Sequence, residues 1–425
     1  MMRVWRPQIE IAPFQAGGEC GGTTLILIHD REAQVMQAAL AHLKVLDLSR
    51  ILAGPWASQT LADFGAQVIK VERPAVGDDT RSWGPPFMKD DEGKESGESA
   101  YFMAANRGKQ SVCIDMASKQ GQAQILKLAA QCDVLLENFK VGGLAKYGLD
   151  YASLAKVNPR LIYCSITGFG QTGPYKDRPG YDFLVQAMGG LMSVTGEPQT
   201  GPQKVGVALT DVMSGLYATV GILTALAERE KSGLGQHVDL ALLDVTAATL
   251  ANQATNYLVG GTVPTGLGNA HPNIVPYQSF ACQDSHCIVA VGNDRQFKRF
   301  CEVLSLPALA HDADYKSNQQ RVINREKLIP VLQKQMLLKD RDDWLRILAE
   351  AGVPAGPINN IAEVFTDPQI LAREMRVKMQ HPLNKALELP GNPIKLSRTP
   401  VQYNKPPPLL GQHTQEVFNR FKLDE

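Results

Sequence analysis

A chain of 425 residues is longer than one hydrophobic core ordinarily supports, which predicts two domains or one large domain carrying a smaller inserted one. Lysine plus arginine balances aspartate plus glutamate at 43 each, so no overall field draws the chain to nucleic acid or an anionic membrane, and the expected partner is a small molecule. Seven cysteines, an odd number scattered without a C-x-x-C pair, argue against a disulfide frame or a zinc site and predict reduced thiols in a cytoplasmic setting.

Residues 1–35 stand apart. The apolar run at 25–28 is too short to span a bilayer, and Glu10, Glu19 and Asp30 spoil a secretory or transit reading. The stretch is taken as an N-terminal extension, with Met36 opening the first regular element. From Leu43 a strand and helix rhythm begins: a strand at 43–48, a helix at 55–64 opened by the Gly54-Pro55 turn, and a strand at 67–72. It repeats with a strand at 111–116, a helix at 119–131, and strands at 133–137 and 161–166. That alternation predicts an α/β, doubly wound fold with a parallel sheet covered on both faces, and a ligand beyond the carboxyl ends of its strands.

The strand ends carry the chemistry. GFGQTG at 168–173 satisfies G-x-G-x-x-G, yet Pro174 to Pro179 follow it with loop residues where a dinucleotide site needs a helix. A loop shaped around another ligand is the preferred reading. Arg50, Arg73, Arg81, Arg107, Lys109 and Lys146 lie near these ends. Each alone reads as solvated surface charge, and together at one sheet edge they could hold a phosphorylated ligand.

The stretch KVGVALTDVMSGLYATVGILTALAE at 204–228 sets one acid between two apolar elements. Residues 205–209 read as a short buried strand and 212–226 as an uncharged helix packed inside the domain. Asp211 at their junction is either a helix N-cap or a carboxylate kept ionised by the helix terminus, ready as a nucleophile. Further on, a compact α/β insertion is expected, with a strand at 287–291 and helices at 295–304 and 325–336, the second containing Pro330.

Taken in order, VLDLSRILAGPWASQTLADFGAQVIKVERPAVGDDTR, AANRGKQSVCIDM, DVLLENFKVGGLAKYGLDY, GYDFLVQAMGG, TDVMSG, GNAHPNIVPYQ, GVPAGPINN and PPPLLGQHT resemble the class III CoA-transferase (CaiB/BaiF) family from about Leu43 to His413. The resemblance implies a large Rossmann-like domain built from both chain ends (36–255 and 351–425), a smaller inserted domain (266–350), and two subunits interlocked as a homodimer. It puts the family's nucleophile on Asp211. It puts CoA contacts on Arg73, Asn106, Ile114, Asn138 and Lys146, with Tyr181 and Asp182 beside them. The loop with Gly268, Asn269 and His271 resembles the family's active-site cover, where His271 either packs the loop or meets substrate. Leu52 stands where formyl-CoA transferases carry glutamine, so oxalate is not the expected acceptor.

The resemblance also implies the reaction. CoA moves from an acyl-CoA, expected to be succinyl-CoA, to a free dicarboxylic acid through an aspartyl anhydride and an aspartyl-CoA thioester, with no tightly bound cofactor. A distal carboxylate would need a cation, and Arg50 is the candidate. The alternative is a 2-methylacyl-CoA racemase of the same fold. Racemisation needs two bases astride one carbon, and Gly180-Tyr181-Asp182 has tyrosine where that branch has histidine, a poor proton carrier near neutral pH.

Overall fold

The computed structural model describes residues 38–424. The extension read over 1–35 and the element opening at Met36 lie outside them. Short runs of β-branched and leucine side chains with opposite neighbours on opposite faces build β1 (Lys44–Asp47), β2 (Gln67–Glu72), β3 (Lys109–Cys113), β4 (Val134–Glu137), β5 (Ile162–Thr167) and β6 (His237–Ala241). All neighbours pair in parallel, in the order β3-β2-β1-β4-β5-β6. The order reverses between β1 and β4, which is where an open parallel sheet leaves a crevice for ligands.

Alternation then decides which helix covers which face. Val45, Val68, Val134, Leu136, Ile162 and Cys164 point to one side, against Ala57 and Leu61 of α1 (Ala53–Asp63). Leu46, Ile69, Val112, Leu135 and Tyr163 point to the other, against Ile125 and Leu128 of α2 (Lys119–Gln131). Between β5 and β6 come α3 (Asp182–Met188) and α4 (Leu209–Ser232). Ala218, Ile222 and Ala225 of α4 join the first face. The last helix, α5 (Thr414–Phe421), returns Val417 and Phe421 to the second.

Three expectations about the Asp211 stretch are corrected. Residues 205–208 are irregular, and Val205 gives its N–H to the Gln186 side chain at 2.9 Å, not to a strand. The helix begins at Leu209, so Asp211 is its third residue and Ala208 holds the cap position. The helix is not covered all round either. Gly215 lets it sit close on α1, because a Cβ there would fall 2.7 Å from the Ala53 carbonyl oxygen, while Leu216, Tyr217 and Val220 on the other side are exposed.

A separate three-stranded antiparallel sheet, Tyr277–Ala281, His286–Ala290 and Ala355–Pro357, has its own apolar centre of Phe280, Val289, Phe297, Phe300, Leu332 and Trp344. Its helices include Asp294–Val303 and Arg325–Met336, and Pro330 sits inside the latter without ending it.

Candidate active site

The turn after β1 faces the turn after β4 across the reversal of strand order. Asn138 clamps it: its side-chain oxygen accepts from the Arg50 N–H at 2.9 Å and its amide donates to the Arg50 carbonyl at 2.7 Å. Next to that clamp Ile51 has φ of 73°, a left-handed conformation that costs a β-branched residue free energy and persists only where neighbours impose it. Asp78 helps impose it by accepting from the Ile51 N–H with both oxygens at 3.3 Å.

Below the turn lies a buried polar layer. Lys70 of β2 is buried, 2.8 Å from Asp78 and 2.9 Å from the Ser49 carbonyl. Burial works against the Asp78 charge, but Lys70 and the Thr80 hydrogen bonds outweigh it and hold that carboxyl at about 2. Lys109 of β3 gives its ammonium to Asp47 at 3.2 Å, the Pro55 carbonyl at 2.9 Å and Asn106 at 2.8 Å. Three donors meeting three acceptors is how a lysine is kept in a core.

These contacts divide the cations that the sequence grouped together. Arg81 is bound to Glu72 and Glu98, Arg107 to Asp63 and Lys109 to Asp47, all buried. Those three hold the fold and line neither of the cavities described next. Arg50 and Arg73 share Asp79, at 2.7 and 2.9 Å.

A cavity of about 290 Å³ runs beyond the ends of β1, β2 and β3, lined among others by Arg50, Arg73, Gly77, Ile114, Phe139 and Tyr147. A second, of about 450 Å³, shares Arg50, Phe139 and Tyr147 with it and continues to Leu52, Asn138, Lys146, Tyr181, Asp182 and Asp211. Lys140, Lys176 and Arg178 also line the second. The sequence reading missed these three, because irregular loops carry no periodic signal that aims a side chain. Asn106 is fully buried, holding Lys109 and the Phe102 carbonyl, and lines neither cavity. Nor do Gly268, Asn269 and His271: Gly268 donates to the Gly196 carbonyl, Asn269 bonds Ser279, and His271 accepts from the Asn273 N–H beside the Tyr277 ring.

Asp211 is tied to α3 through its main chain. Its N–H donates to Oδ1 of Asp182 at 3.2 Å, and Gln186, fully buried, donates to the other Asp182 oxygen at 2.7 Å. Thr210 and Thr246 hydroxyls meet at 3.0 Å behind it. Burial, and then repulsion from Asp182, push the Asp211 carboxyl up to about 7. The helix terminus therefore does not hold it fully ionised near neutral pH, contrary to the sequence reading. Of the N–H groups in the first turn of α4, that of Asp211 is taken by Asp182 and that of Val212 by the Ala208 carbonyl. A carboxylate poised near neutrality, in a cation-lined cavity that shares Arg50, Phe139 and Tyr147 with a second, can act as a nucleophile toward a long anionic ligand.

Comparison with known proteins points the same way. The profile of CoA-transferase family III matches residues 40–414. A succinate–glutarate CoA-transferase from Agrobacterium fabrum is 50% identical over 388 residues, covering 91% of this chain and 96% of its own. The human succinyl-CoA:glutarate CoA-transferase is 43% identical over 379 residues, 89% of this chain and 85% of its own. The crystal structure of a CaiB/BaiF family protein from Brucella suis, 49% identical, superposes with a TM-score of 0.80 over 91% of this chain and all of its own.

Proposed function

The chain belongs to CoA-transferase family III, and from that premise we propose that it carries CoA from succinyl-CoA to glutarate or a similar dicarboxylic acid through a covalent intermediate on Asp211. The observation that carries this reading is the position of Asp211 in the same cavity as Arg50, Lys140 and Lys146, continuous with the cavity holding Arg73 and Ile114. A CoA thioester is long and polyanionic. Its phosphates fit the cationic stretch, its base the apolar walls of the smaller cavity, and its thioester the Asp211 end.

Asp211 in its ionised form attacks the thioester carbonyl. The new C–O bond forms as the C–S bond breaks, leaving a mixed anhydride and CoA thiolate. The thiolate then attacks the aspartyl carbonyl carbon and displaces succinate, so that CoA is held as an Asp211 thioester. The acceptor carboxylate reverses both steps: it attacks the aspartyl thioester, expels thiolate, and the thiolate takes the acceptor acyl group and returns Asp211 as a carboxylate. These steps use no group besides the CoA thioester and the two acids. Tyr181 beside Asp182 supports transfer over racemisation for the reason given from the sequence.

The same reading pairs two copies of the chain. The exposed Leu216, Tyr217 and Val220 on α4 supply the unpartnered apolar surface that an obligate partner would cover. It also divides each copy into a large part, 36–255 with 351–425, and a smaller one, 266–350.

The test is to incubate the protein with succinyl-CoA and a panel of free acids and follow new acyl-CoA by mass. Hydroxylamine added during turnover should label the peptide containing Asp211. Label on another peptide, or turnover surviving in Asp211→Ala, removes Asp211 from the chemistry.

A further inference from the structure

The loop between β5 and α3 supplies two cations to the Asp211 cavity, Lys176 and Arg178. It is fixed where it matters, because Gly168 and Gly180 cross in backbone contact: a Cβ on Gly168 would lie 2.5 Å from the Gly180 Cα. Gly180 leads through Tyr181 into Asp182, which accepts from the Asp211 N–H. Arg178 is thus two residues from the pinned crossing and four from the carboxylate that touches Asp211. Lys140 and Lys146 instead flank Phe139 and Tyr147, two of the three residues common to both cavities.

The guanidinium of Arg178 lies over the Tyr175 ring at 4.0 Å, and Tyr175 in turn meets Phe169 edge-on. Stacking supports the face of the group and leaves its N–H edge free. No carboxylate or carbonyl occupies that edge among the described residues. Arg50, by contrast, already gives an N–H to Asp79 at 2.7 Å and borders the smaller cavity as well. A planar fork with a supported face and an unfilled edge, lining the same cavity as Asp211, matches a second carboxylate and not a thioester.

We infer that Arg178, rather than Arg50, binds the distal carboxylate of the dicarboxylic acyl group, in both the donor and the acceptor half of the reaction. Both acyl groups react at Asp211 and so present their far ends to the same place. The inference rests on the transfer reading above and makes Arg178 the residue that selects dicarboxylic over monocarboxylic acids.

The experiment measures equilibrium binding of glutarate, butyrate and free CoA, and the kcat/KM for each acid, in the wild type and in Arg178→Gln and Arg178→Glu. In Arg178→Gln the preference for glutarate over butyrate should fall at least roughly tenfold, the loss of one bidentate charged contact, while free CoA binds as before. In Arg178→Glu the preference should invert toward 5-aminovalerate, whose far end is an ammonium; a variant that has merely unfolded cannot show that gain. Weaker binding of free CoA in Arg178→Gln makes the residue a phosphate contact and overturns the proposal. An equal loss on glutarate and butyrate, or no loss on either, overturns it too. Because binding is read without turnover, a wild type that binds glutarate through Arg178 yet transfers no CoA refutes the transfer reading alone.

Discussion

The main-chain N–H of Asp211 is held by the side chain of Asp182 at 3.2 Å, so the residue that positions the proposed nucleophile also burdens it with a like charge. Burial and that charge raise the Asp211 carboxyl to about 7. In the proposed mechanism only the ionised form attacks, and its fraction grows as pH rises through that value. The kcat/KM, which reports the free enzyme, should therefore fall about tenfold per pH unit on the acid side and level off above. In Asp182→Asn the acid limb should move to lower pH. A limb that stays in place shows that Asp182 contributes position and no field.

Stability should run the opposite way. With a folded value above its unfolded one, Asp211 binds more protons folded than unfolded between about pH 4 and about pH 7. Raising the pH through that window removes stability. Asp211→Asn should accordingly melt above the wild type at about pH 8, with the gap closing toward about pH 4. Equal melting curves at all pH values would mean that the site stabilises the Asp211 charge as well as water does.

Lys70 and Asp78 behave as a structural pair beneath the Arg50 turn. Their side chains are 1% and 0% exposed and 2.8 Å apart. Replacing Lys70 by methionine leaves the Asp78 charge without its partner, at a cost of about 3–5 kcal/mol. Asp78 also steadies Ile51 at its φ of 73°, so the loss should reach ligand binding as well. Denaturant midpoints and CoA affinity measured on Lys70→Met check both parts. For the wild type the sign on pH is the usual carboxylate one. The Asp78 contribution is present above about pH 4 and is lost as pH falls toward about 2.

Much of this was written in the sequence, for local reasons. The helices expected at 119–131 and 325–336 are found at those residues, and β1 to β5 overlap the expected strands with ends up to three positions off, because period and breakers are local signals, whereas β6 was not expected. Asp211 was also legible, as the lone acid between apolar stretches. The fate of a cation was not. Arg107 finds Asp63, 44 positions earlier, and the Arg178 side chain finds only Tyr175 among the described residues, and nothing in either neighbourhood announces which is spent in the core and which lines the cavity. The supposed strand at 205–209 failed for a similar reason: its first N–H is claimed by Gln186, a residue of another helix.

That tie from Gln186 matters only if α3 itself is fixed, and the crossing of Gly168 with Gly180, together with buried Val185, fixes it. A Cβ on Gly168 would meet the Gly180 Cα at 2.5 Å, and one on Gly180 the Gly168 Cα at 2.3 Å. In both cases the obstacle is backbone, so one loop must move. The Gly168 carbonyl accepts from the Leu243 N–H, which leaves the Gly180 side as the freer one, carrying Tyr181 and Asp182 with it. Gly168→Ala should then lower kcat/KM by roughly a hundredfold, since about 1 Å of misplacement is enough for that, with a much smaller drop in melting temperature. Asp182 can no longer hold the Asp211 N–H once it is displaced, so the midpoint of the acid limb should shift in the same variant. A Gly168→Ala protein with wild-type turnover and an unmoved pH profile would show that the crossing has no bearing on the nucleophile.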